Sequence, residues 1–139
     1  MDQVLLHPQL AEEVGVNARR KGHDGEREVA ALLRQALGIE VARNLQQTRD
    51  GGHDIEVAGF ALEIKRACAV TEGKVARWWQ QALDQADRAG LAPALVFRAD
   101  RQPWRVRMRL SDVRAGLPDD QVADLYLDGF VGLAREGLT

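Results

Sequence analysis

From Asp54 to Lys65 polar and apolar residues alternate on either side of Ala58-Gly59. A period of two is the signature of strands that bury one face. Read as a two-residue hairpin turn, Ala58-Gly59 pairs Val57 with Phe60, Glu56 with Ala61, Ile55 with Leu62 and Asp54 with Glu63. Ile55, Val57, Phe60, Leu62 and Ile64 then share the core face. Asp54, Glu56, Glu63 and Lys65 share the other. Opposed cross-strand residues have Cβ atoms about 4.5–5.5 Å apart. Two carboxylates at that separation repel each other unless something positive lies between them.

The rest of the chain supplies helices to cover such a sheet. Asp24 can cap a helix whose apolar stripe is Val29, Leu32, Leu33, Ala36 and Leu37, with Gly38 as its stop. Ile39–Leu45 reads as a first strand, followed by the polar loop Gln46–Gly52 and by strands at His53–Val57 and Phe60–Arg66. Gly73–Gly90 is the clearest helix, with Val75, Trp78, Trp79, Ala82, Leu83 and Ala86 on one face. Ala94–Arg98, Trp104–Leu110 and Ala123–Leu127 read as strands, and a short helix capped by Asp128 ends the chain. The core order α-β-β-β-α-β-β predicts an α/β fold, a mixed central sheet flanked by helices. One domain spans 1–139, with a variable segment at 1–16, a central core at 17–110 and a strand/helix appendage at 111–139.

Composition narrows the class. A hydrophobic share of 45% and a charged share of 29% suit a globular domain. No apolar run is long enough for a membrane helix, and the N-terminus lacks a secretory pattern, so a cytoplasmic setting is expected. Cys68 is the single cysteine, read as a small buried residue; with three scattered histidines it builds no zinc cage. The net charge of −2 hides five arginines against one acid between Arg98 and Arg109. Sixteen of the 19 basic residues are arginine, which suits bidentate phosphate contacts.

The opposed acids admit two readings. In one they sit on the wet face of an ordinary hairpin and Lys65 neutralises Glu63. In the other a hard dication lies between them. Magnesium takes oxygen ligands, commonly one or two carboxylates with waters and substrate phosphates. Lys65, projecting to the same side, can hold a water and offset phosphate charge, the equipment of metal-assisted phosphodiester hydrolysis. Arg105, Arg107 and Arg109 alternate with Val106, Met108 and Leu110. They form either the charged outer face of an edge strand or a row of phosphate contacts. Arg19, Arg20 and Lys21 are a second candidate DNA-gripping cluster. Two competitors stand beside a nuclease: a non-catalytic DNA-binding or assembly module on the same fold, and glycoside chemistry by the acid pair. The shortage of aromatic sugar platforms ranks the last below the others.

The chain resembles the PD-(D/E)XK nuclease superfamily. The resemblance rests on Lys21-Gly-x-x-Gly25-Glu-Arg-Glu28, Arg43-Asn-Leu-Gln-Gln47, Asp50-Gly-Gly-x-Asp54-Ile, Glu63-Ile-Lys65-Arg and Trp79-x-Gln81-Ala. This pattern covers about residues 17–110 and is similar to small phage-encoded nucleases. The absence of the motif proline before Asp54 is similar to the archaeal-type Holliday junction resolvases. The resemblance implies a restriction-endonuclease-like core and a Mg²⁺-dependent DNA endonuclease, with Mn²⁺ able to substitute. It implies that Asp54, Glu63 and the Ile64 carbonyl bind the metal, with Glu28 joining from the helix through water. It further implies that Lys65 positions the attacking water and that Gln81 is the accessory polar residue. The implied partners are DNA, branched DNA foremost, and a second copy of the chain. The implied setting is the host cytoplasm of a phage.

Overall fold

The computed structural model describes residues 24–38 and 54–138. The expected strand at Ile39–Leu45, the segment 1–16, the Arg19-Arg20-Lys21 cluster and the Gly51-Gly52-His53 approach to Asp54 lie outside the described residues. Helix α1 covers residues 24–37. Strands β1 (Ile55–Val57) and β2 (Phe60–Ala67) follow, then helix α2 (Glu72–Ala89) and strands β3 (Ala92–Ala99) and β4 (Arg105–Arg109). A 3₁₀ turn at Leu110–Asp112, strand β5 (Val122–Tyr126) and helix α3 (Leu127–Leu138) complete the described chain.

The hairpin turn fixes the register. Ala58 and Gly59 both have positive φ, 51° and 83°, as a two-residue type I′ turn requires. Val57 pairs with Phe60, Glu56 with Ala61 and Ile55 with Leu62, as the alternation predicts, but Asp54, expected opposite Glu63, lies just before β1 and outside the paired residues. The five strands lie in the order β1-β2-β3-β4-β5. Among the described strands only the β2–β3 pair is parallel, with α2 as its crossover, so the sheet is mixed.

Both faces of the sheet are covered. On one, Val29, Ala30 and Leu33 of α1 and Phe130, Val131 and Ala134 of α3 pack on Ile55, Val57, Leu62, Ile64, Val96, Val106 and Met108. Phe60 meets Phe130 edge to face at 5.3 Å. On the other, Val75 and Ala82 of α2 pack on Leu95 and Phe97, with Trp78 and Trp79 partly buried beside them. This second layer corrects the reading of the polar hairpin face as wet: Asp54 and Glu63 are buried there and only Glu56 is exposed.

Three further expectations change. Strand β4 is not an edge, because the C-terminal residues contribute β5 to its outer side and α3 to the core. Asp128 does not cap α3, which starts at Leu127 directly after β5; its carboxylate accepts from the Gly129 N–H inside the first turn. Cys68 is exposed.

Helix α2 is capped at both ends. Thr71 Oγ1 accepts from the Lys74 N–H at 3.2 Å, and Gly90 closes the last turn in the left-handed conformation with φ 69°. A Cβ at Gly90 or at Gly73 meets no atom within 4 Å, but Gly73 has ordinary helical backbone. Gly90→Ala is therefore expected to cost about 1 kcal/mol. Gly73→Ala is expected to stabilise by about 0.5–1 kcal/mol, through the unfolded chain and helix propensity. Urea denaturation of the two variants checks the opposite signs.

Candidate active site

The site begins with the backbone. Alternation along β2 sends Ala61, Glu63 and Lys65 towards α2, while Leu62 and Ile64 enter the opposite core. Asp54 lies just before β1, where its N–H donates to the Leu62 carbonyl at 2.9 Å. Its carboxylate turns back and Oδ2 accepts from the Ile64 N–H at 2.7 Å. A buried acid is thus anchored on the strand that carries Glu63. Both side chains are about 3% exposed, a degree of burial that charged groups tolerate only with partners.

The partners of Glu63 come from one oxygen's side. Lys65 Nζ lies 3.2 Å from Oε1, and Gln81 Nε2 of α2 donates to the same atom at 3.3 Å. Glu63 Oε2 is buried without a hydrogen-bond partner. Burial, above all, pushes the Asp54 carboxyl up to about 8. The charge of Glu63 adds to this, the Ile64 N–H opposes it, and Glu26 contributes a further upward push. Burial likewise raises Glu63 against the pull of Lys65.

Glu26 was missed by sequence reasoning, which singled out Glu28 on the same helix. Glu26 is buried in α1, and its charge acts on both Asp54 and Glu63. Glu28 is engaged elsewhere. Trp104 Nε1 donates to its Oε1 at 2.8 Å and Arg98 Nη2 to its Oε2 at 3.2 Å, with the Arg98 guanidinium 4.9 Å from the Trp104 ring centroid. The signal for Glu26 was present: it sits three, four and seven residues before Val29, Ala30 and Leu33, on the buried stripe. Gln85, one turn beyond Gln81 and 4% exposed, is a second buried polar residue that the sequence analysis did not single out.

The arginine row is divided. Arg107 makes a bidentate pair with Asp124 across β4–β5, at 2.7 and 2.9 Å, and Arg109 pairs with Asp112 at 2.8 and 3.2 Å. Arg105 is exposed and stacks over Phe97 at 4.7 Å. Asp54, Glu63, Lys65 and Gln81 are thus brought together, Glu28 is not among them, and the three arginines lie farther along the same sheet face.

Among the described residues no three His, Cys, Asp or Glu side chains form a metal cage. Two buried acids, one with an unpartnered oxygen, nevertheless fit a hard dication that takes its remaining ligands from a backbone carbonyl, water and phosphate. With Lys65 alongside, the donor set suits phosphodiester hydrolysis.

One family model covers most of the chain. Residues 17–127 match the family model described as "Phage putative PDDEXK endonuclease". The chain belongs to this family. It is 25% identical to Protein D14 of Escherichia phage T5 over 123 residues, covering 71% of this chain and 75% of that protein. Among solved structures it is similar to Hjc, a Holliday junction resolvase of Archaeoglobus fulgidus. The TM-score is 0.47 at 15% identity, over 81% of this chain and 97% of that one.

A raised carboxyl pKa has a stability consequence. As pH rises from Asp54's ordinary 3.8 towards about 8, the unfolded chain ionises while the folded chain keeps its proton. Stability supplied by that proton is present at low pH and lost through this window. Asp54→Asn, which keeps an acceptor for the Ile64 N–H, is expected to melt higher than the parent chain at pH 8 in EDTA. The advantage should shrink towards pH 4, as followed by thermal denaturation across pH.

Proposed function

We propose that the chain is a Mg²⁺-dependent DNA endonuclease that prefers branched DNA and acts as a homodimer. The single observation that carries the metal-dependent reading is the buried pair Asp54–Glu63 with Glu63 Oε2 unpartnered. Asp54, Glu63 and the Ile64 carbonyl would hold the ion, and Mn²⁺ would substitute for it. When bound, such an ion supplies charge stabilisation for phosphate oxygens and lowers the pKa of a water.

The chain's own residues perform the other tasks. Lys65 holds the attacking water beside Glu63 and offsets charge on the phosphate. Gln81 fixes the Glu63 carboxylate by its hydrogen bond to Oε1. Glu26 reaches towards the acids from α1 and takes the role first expected of Glu28. Glu28 holds α1 in place through Trp104 and Arg98. Arg105, together with Arg19, Arg20 and Lys21, would grip phosphates without reading sequence. Arg107 and Arg109 spend their forks on carboxylates and mainly shape that face. A homodimer gives the twofold-related pair of sites that two symmetric cuts require.

Nicking of supercoiled plasmid tests the reading. Wild type should nick with Mg²⁺ or Mn²⁺ and stop in EDTA. Asp54→Asn and Lys65→Ala should each fall more than about a hundredfold, the scale of losing a charge-stabilising group. Equal cutting by these variants would remove the site assignment. Glu26→Gln should lose about 10–100-fold, as outer-shell partners do. Glu28→Gln should chiefly lower the melting temperature. Cleavage of four-way junction, flap, single-stranded and plain duplex DNA, with the mass in solution, decides the preference and the dimer.

Metal binding has a readout apart from activity. Millimolar Mg²⁺ at pH 8 should raise the melting temperature of wild type, since a ligand that binds only the folded state stabilises it. The shift should vanish in Asp54→Asn.

A further inference from the structure

Cross-strand register lines up four side chains on the α2 face. Lys65 of β2 pairs with Phe97 of β3, Phe97 with Arg105 of β4, and Arg105 with Tyr126 of β5. The row starts beside the acid pair and ends at the edge of the sheet. With strands about 4.8 Å apart, three spacings span about 14 Å.

We propose that the outer end of this row is a track for an unpaired DNA strand of the substrate, with Arg105 holding a phosphate and Tyr126 stacking a base, while the buried Phe97 only supports Arg105. The inference rests on the nuclease reading and specifies its substrate as duplex DNA that carries a single-stranded arm.

The chemistry of the row is selective. Arg105 has no carboxylate partner among the described residues, whereas Arg107 and Arg109 of the same strand are each paired with an aspartate. Phe97 lies fully buried beneath the Arg105 guanidinium, so the charge is held in place by a ring rather than cancelled by an acid. Tyr126 is 60% exposed, the most exposed large hydrophobic side chain described. Between them opens a cavity of about 350 Å³ lined by Arg98, Gln102, Pro103, Arg105 and Tyr126, with no acidic residue. The adjoining cavity of about 400 Å³ shares Arg105 but carries Glu72 and Asp124, which disfavours phosphate on that side. A cation beside an open aromatic face is the pairing that single-stranded nucleic acid recruits, since every base has a face to stack.

The test measures binding by fluorescence anisotropy in EDTA, using blunt duplex and the same duplex with a short single-stranded arm. Wild type is expected to prefer the armed duplex by about tenfold, within the range of stacking one base on an aromatic ring. Tyr126→Ala should bring the ratio close to one, and Tyr126→Phe should keep it. Arg105→Gln should reduce the slope of log Kd against log salt by about one. A wild-type protein without preference, or a Tyr126→Ala variant that retains it, overturns the track. So does a Tyr126→Ala variant that keeps the preference but changes its mass in solution, which would assign Tyr126 to a protein contact. Circular dichroism confirms that each variant is folded. Plasmid nicking by wild type, run in parallel, separates the two readings. Nicking without a preference removes only the track; a preference without nicking with either metal removes the nuclease.

Discussion

Two like charges buried against each other set the terms for the rest of the molecule. Asp54 and Glu63 are held on the covered side of a sheet, where burial pushes protons onto both and the charge of Glu63 adds to the push on Asp54. Local groups soften the conflict without ending it. The Ile64 N–H serves one oxygen of Asp54, and Lys65 and Gln81 serve one oxygen of Glu63, leaving Oε2 unpartnered. A fold optimised only for stability would replace such a pair by apolar residues. Its retention in the interior is what gives the site an appetite for positive charge.

The architecture confines this cost to one face. Ile55, Val57, Leu62 and Ile64 take part in an apolar cluster with α1 and α3 on the far side of the same hairpin. Strand geometry separates the two functions residue by residue, because adjacent side chains point to opposite faces. The parallel β2–β3 pair then extends the site laterally. Placing β3 and β4 beside β2 aligns Glu63 with Leu95, Arg107 and Asp124 in one row, and Lys65 with Phe97, Arg105 and Tyr126 in the next. The first row neutralises itself at Arg107–Asp124; the second leaves its arginine over a ring.

The parts legible in the sequence are those governed by local periodicity. The period of two around Ala58-Gly59 set the register of β1 and β2, and the period of 3.6 set α2, including Gln81 on the turn that faces Glu63. What covers a face is a tertiary matter. The polar side of the hairpin looked wet because nothing local announces that α2 folds over it. The three arginines looked like an outer rim because the strand expected at Ala123–Leu127 carried no local sign of its partner, and in the fold it pairs outside β4. Whether Arg107 faces a phosphate or an aspartate depends on that pairing.

The helix acids show the same limit at finer scale. Glu26 and Glu28 are two residues apart, which on an α-helix is about 200° of rotation, so they point to nearly opposite sides. Only one of them can approach the acid pair. The sequence favours neither by residue type, but packing decides between them. At Gly25 α1 packs close to Trp104, where a Cβ would lie in ordinary contact with the ring at 3.4 Å. Trp104 and Arg98 then take both oxygens of Glu28. With that side of the helix tied, rotation carries Glu26 inward on the buried stripe with Val29, Ala30 and Leu33. The outward glutamate thus fixes the helix that aims the inward one.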